Sequence, residues 1–106
     1  MATKKINLEF RVLLYPEDGL WIAHGLEMDL PAEGKTPREA LKNFIDLANL
    51  QIATALDEGN LDSIFSQAPP SLWRLFSQAT ASRPAILSKL RHDSIERLSV
   101  RELVPA

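Results

Sequence analysis

Residues 6–15, INLEFRVLLY, alternate along their length. Ile6, Leu8, Phe10, Val12 and Leu14 fall on one side, with Asn7, Glu9 and Arg11 on the other. A period of two predicts a strand with one buried face. Pro16-Glu17-Asp18-Gly19 follows and supplies turn chemistry: proline fixes φ, aspartate tolerates tight turns and glycine accepts positive φ. Residues 20–26, with Trp21 and Ile22 near their start, read as the returning strand of a hairpin. A short third strand is expected over 28–34, where Pro31 places it at an edge or at the strand's beginning.

Thr36-Pro37-Arg38-Glu39 then has the form of a capping box. The threonine hydroxyl accepts from the third backbone N–H, Glu39 reaches back to the cap, and Pro37 loses only an orphan N–H. Leu41, Phe44, Ile45, Ala48, Ile52, Ala55 and Leu56 recur at helical spacing, and Gly59 stands where a left-handed C-cap belongs. A long helix over about 37–58 follows. Ala40, Leu47 and Leu50 form a second apolar edge on it, which either the downstream residues 60–96 or another subunit must cover, the downstream segment being the cover expected. Within that stretch Leu72, Leu75, Phe76 and Ala79 mark one short helix beginning near Pro70, and Ile86, Leu87 and Leu90 mark another near Pro84. Residues 97–104 read as a last strand, with Leu98, Val100 and Val104 inward. The fold class expected is α+β, in the order β-β-β-α-(α)-β. Residues 1–106 form one domain in this reading, with a helical insertion at 60–96.

Composition narrows the chemistry. There is no cysteine, which removes disulfides, thiolate metal sites and thiol nucleophiles. No apolar run is long enough to span a membrane, and the start lacks the apolar core of a signal peptide, so a cytoplasmic protein without membrane contact is expected. Net charge is −2, but residues 1–59 hold six basic and ten acidic residues, whereas 60–106 hold six and four. The later cations, Arg74, Arg83, Lys89, Arg91, Arg97 and Arg101, form no run, and a solvated mixed surface explains them better than a phosphate-binding patch.

The residues give no positive sign of an enzyme. His24 and His92 lie far apart, and neither has a second His at ligand spacing. His24, Glu27, Asp29 and Glu33 are the best candidates for a ligand or partner surface, because three alternating carboxylates beside a histidine can hold a cation or move protons. Charges on an edge strand, which discourage aggregation, explain the acids more simply. Neither a metal nor another cofactor is expected. Leu47, Leu50, Leu72, Trp73 and Phe76 are candidate interface residues where the segments that bear them are exposed.

The order of these signals resembles a known family. The segment Tyr15-Pro16-Glu17-Asp18-Gly19-Leu20-Trp21-Ile22-Ala23, then Asp29-Leu30-Pro31, then Gly34-Lys35-Thr36-Pro37-Arg38-Glu39-Ala40-Leu41 is similar to the HicB-like antitoxins of HicA/HicB toxin–antitoxin modules and their stand-alone relatives. The resemblance covers roughly residues 6–58. It implies a truncated RNase H-like fold without that fold's catalytic carboxylates, assembly into homodimers or higher oligomers, and steric blockade of a small toxin RNase. The chain departs from the family in residues 60–96, which separate the long helix from the last strand. Nothing after residue 104 has room for the DNA-binding domain that many members carry, so DNA binding is not expected. The alternative is a small-molecule or metal-binding protein using His24 and its neighbouring carboxylates.

Overall fold

The computed structural model describes residues 9–81 and 97–103. The first hairpin pairs β1 (Glu9–Glu17) with β2 (Leu20–Gly25), antiparallel, from Val12↔Gly25 to Glu17↔Leu20. Asp18 and Gly19 close it with φ of 51° and 79°. Positive φ at both central residues is the twist-compatible two-residue turn that Asp-Gly favours. Thus β1 continues through Pro16, whose missing N–H is tolerated near the strand end. β3 (Leu30–Gly34) pairs antiparallel with β2.

α1 (Pro37–Asp57) follows after a sharp reversal. The Thr36 hydroxyl accepts from the Glu39 backbone N–H at 3.0 Å, and Pro37 occupies the first turn. Among the described residues Glu39 makes no return bond to the cap, so half of the expected box forms. Gly34 is what lets the chain reverse so tightly: a Cβ there would strike the backbone of Glu39 and Ala40. At its far end α1 closes with two crossed bonds, Gly59 N–H to Leu56 C=O (3.1 Å) and Asn60 N–H to Ala55 C=O (2.8 Å). Gly59 has φ 68°, completing a Schellman cap.

A 3-10 turn (Leu61–Ile64), α2 (Pro70–Gln78) and β4 (Thr80–Ala81) come next, and β5 (Arg97–Glu102) completes the sheet in the order β3-β2-β1-β5-β4. β5 lies parallel to β1, and the other pairings are antiparallel. The chain is α+β. The insertion is not wholly helical, since β4 adds a short edge strand to β5. The expected turn near Pro84 with Ile86, Leu87 and Leu90, along with Ile6, Leu8, His92 and Val104, lies outside the described residues.

Both faces of the sheet are covered. On one, Phe10, Val12, Leu14, Ala23, Ala32, Leu98 and Val100 meet Ala40, Leu41, Phe44, Ile45, Ala48, Ile52 and Ala55 of α1. Ala40 therefore belongs to the main core rather than to a second edge, whereas Leu56 is exposed. On the other face Leu13 and Leu26, both fully buried, pack with Ala68 and Phe76, and Leu72, Trp73 and Ala79 close over them. The chain reaches that face along the β2–β3 loop, with Ser66 N–H bonded to Glu27 C=O (2.9 Å) and Ala68 N–H to Leu26 C=O (2.8 Å).

This placement corrects the expectation for residues 60–96. Among the described residues the insertion packs on α1 through the 3-10 turn, whose Ile64 joins the α1 core, but it leaves Leu47 and Leu50 exposed; α2 crosses to the opposite face of the sheet. The reason is Leu13. It follows Val12 and precedes Leu14 in β1, so its side chain points away from α1 and needs a cover of its own. Leu72, Trp73 and Phe76 supply that cover; Phe76 is buried, and Leu72 and Trp73 are half-buried. Leu47 and Leu50 remain 38% and 65% exposed.

Candidate functional site

On the α2 side of the sheet, β1 contributes Arg11, Leu13 and Tyr15, and β2 contributes Ile22 and His24. Register sets Leu13 opposite His24 and Tyr15 opposite Ile22, so Tyr15 and His24 are diagonal neighbours. Their rings stack with centroids 6.4 Å apart. The Tyr15 hydroxyl is 3.2 Å from His24 Nδ1, and His24 Nε2 is 2.7 Å from Asp29 Oδ1. His24 is only 8% exposed.

These contacts place His24 between a phenol and a carboxylate. Asp29 Oδ1 accepts from Nε2–H, and Nδ1 faces the Tyr15 hydroxyl. Burial raises the Tyr15 phenol above its ordinary 10.0, and the nearby carboxylates of Glu17 and Asp29 push in the same direction. Tyr15 is therefore protonated throughout the neutral range. Asp29 reaches the histidine from the β2–β3 loop, where its φ of 50° is a conformation that Asp adopts more readily than most residues.

Glu27 pins the same loop from its other side. Its carboxylate accepts from the Arg11 backbone N–H (2.8 Å) and from Arg11 Nη1 (2.7 Å), while the Arg11 guanidinium lies 5.7 Å from the Trp73 ring centroid. Arg11 is thus shared between the loop and α2. At the other end of α2, Arg101 sits 4.8 Å from the Phe76 ring centroid and donates to Phe76 C=O at 3.0 Å. Two arginines on neighbouring strands therefore clamp α2 to the sheet. A guanidinium can stack on an aromatic face and donate in its own plane at once, which suits that task.

The four site candidates from the sequence therefore do not converge. His24 and Asp29 pair with each other, Glu27 is taken by Arg11, and the exposed Glu33 lies on the edge strand β3, where its C=O accepts from Asn43 Nδ2 at 2.8 Å. Among the described residues no group of three or more His, Asp or Glu side chains is placed to hold a metal ion. Of the later cations, Arg101 is committed to α2, and Arg83, Lys89 and Arg91 lie outside the described residues. Tyr15 and Arg11 were not singled out by sequence patterning; the available signal was the apolar triplet Val12-Leu13-Leu14, which places Leu13 and Tyr15 on the face opposite Val12.

A shallow groove of about 440 Å³ lies elsewhere, between the C-terminal half of α1 and the 3-10 turn. Met28, Ala55 and Ile64 form its floor, and Leu50, Thr54 and Glu58 stand along one wall. No helix among the described residues is long and apolar enough to cross a membrane. No family model, curated protein or solved structure matches the chain.

Proposed function

We propose that this chain is a non-catalytic, HicB-like interaction protein that binds a small toxin RNase and blocks it sterically, working in the cytoplasm as a homo-oligomer. The observation that carries the reading is the path of the chain. A β1-β2-β3 meander leads through the Gly34–Ala40 reversal into one long helix, and a later strand returns parallel to β1. The element order β-β-β-α-β is the one the sequence resemblance implies, and the reversal lies at residues that carry the resemblance. Gly34, Thr36, Pro37 and Ala40 each have a physical task in it: close approach, capping, helix initiation and small-residue packing.

The polar residues of the meander also support the reading. Tyr15, His24 and Asp29 satisfy one another, as do Arg11 and Glu27, so their chemistry goes into fixing the β2–β3 loop. Use of His24 with Glu27, Asp29 and Glu33 as a metal or small-molecule site would require those pairings to break.

Growth complementation tests the proposal. The reading frame adjacent to this gene, when small and basic, is expressed alone and together with this chain. Arrest alone with recovery on co-expression is the expected result. Arrest that persists while this chain accumulates in soluble form would refute the antitoxin role.

A further inference from the structure

α1 carries its charges against its own dipole. Lys35 and Arg38 flank Glu39 at its beginning and Lys42 pairs with Asp46, while Asp57 and Glu58 stand at its end, with no basic residue in the last turn. A helix favours anions near its N-terminus and cations near its C-terminus. The 3-10 turn adds Asp62 to the same region, and among the described residues Asp57, Glu58 and Asp62 have no ion-pair partner. Three carboxylates therefore gather beside the capped C-terminus of α1, and no basic side chain among the described residues pairs with them.

The groove opens there. Glu58 lines it, and so does Leu50, whose 65% exposure is the largest of any big apolar side chain among the described residues. Its floor is closed by Met28 and Ile64, which are already buried. The site thus pairs a groove of apolar floor and mixed walls with one lining carboxylate, Glu58, and with Asp57 and Asp62 close by in the chain.

Resting on the reading of this chain as an interaction protein, we infer that the groove is where it takes hold of a basic segment of a partner protein. An apolar side chain of that segment enters between Leu50 and Met28, and adjacent lysines or arginines meet Glu58, Asp57 and Asp62. Charge complementarity decides the occupant. Nucleic acid and anionic lipid are repelled by these acids, and two copies of the chain meeting groove to groove would bring their carboxylates together. Apolar contact supplies holding energy, and the carboxylates supply orientation and speed of association.

The probe is a short synthetic peptide of leucine and lysine at helical spacing, with a twin in which glutamate replaces lysine. Each is titrated into the ¹⁵N-labelled full chain. The lysine peptide is expected to shift the amides of Leu50, Thr54, Glu58 and Ser63 saturably. Leu50→Ser and Glu58→Lys are each expected to weaken it about tenfold, a free-energy change on the order of one exposed apolar contact or ion pair. Added salt should weaken it as well. Spectra of both variants establish that the fold persists. The inference is overturned by shifts that fail to saturate, by shifts centred elsewhere, or by an equal response to the glutamate twin. It is also overturned if the groove amides move with protein concentration alone, which would assign the face to a second copy. The titration contains no toxin, so it can fail while growth complementation succeeds, and the reverse.

Discussion

Replacing Gly34 by alanine adds one carbon where the chain reverses from β3 into α1. The new Cβ would lie well inside contact distance of the Ala40 backbone nitrogen, the Glu39 carbonyl carbon and the Ala40 Cα. All three are backbone atoms in the first turn of a capped helix, so no rotamer change relieves the clash; the helix start must lift. Lifting disturbs the Thr36–Glu39 cap, at 3.0 Å, and the seating of the fully buried Ala40 and Leu41. Overpacking of this kind costs about 1–3 kcal/mol, and a weakened cap adds roughly 1 kcal/mol. The expected loss is therefore about 3 kcal/mol, which for a domain of this size lowers the melting temperature by about 12–24 °C. Guanidinium denaturation of Gly34→Ala, followed by circular dichroism, measures it as a fall in midpoint at unchanged slope. Gly19→Ala is the control: its φ is 79° but nothing lies within 4 Å, so only backbone strain of roughly 1–2 kcal/mol applies. A Gly34→Ala protein no less stable than Gly19→Ala would refute the reasoning. So would rescue by Ala40→Gly, because the obstacle is main chain rather than the Ala40 methyl.

Two further outcomes follow from the other face. Leu13→Ala removes a fully buried strand side chain that packs beneath α2, and about 2–5 kcal/mol should be lost; a loss below about 1 kcal/mol would mean that α2 does not depend on it. Tyr15 is the single tyrosine in the sequence, so the phenolate absorbance of the native protein reports it alone. Its midpoint should lie above 10.0 and fall back towards that value in urea. Because the folded pKa is the higher one, the stability due to Tyr15 is present below the unfolded pKa and is lost as pH rises through the folded one. Tyr15→Phe should accordingly flatten the alkaline limb of the stability curve. A native midpoint at or below 10.0 would show that the phenol is neither desolvated nor repelled by Glu17 and Asp29.

Local signals made the meander and α1 readable, because alternation, Asp-Gly, Thr-Pro and Gly59 each act within a few residues. The position of α2 was not readable that way. It depends on Leu13, one apolar residue on a face whose other positions hold Arg11 and Tyr15, and on the backbone bonds that Ser66 and Ala68 make with the β2–β3 loop. Apolar content in residues 60–79 shows that something is covered but not which face. The parallel partnership of β5 with β1 is likewise non-local. Glu27, Asp29 and Glu33 looked equivalent in sequence, yet they divide between an arginine, a histidine and an exposed strand edge. Loop geometry makes that division, above all the positive φ at Asp29, and side-chain period alone does not encode it.

The central claim is that this chain acts by covering another protein's active site. Its most direct test takes the purified product of the reading frame adjacent to this gene, where that frame is small and basic, and measures its RNA cleavage as this chain is titrated in. Cleavage should fall linearly and vanish near equimolar protein, with a stable complex on size-exclusion chromatography. Undiminished cleavage in the presence of excess folded chain would contradict the claim.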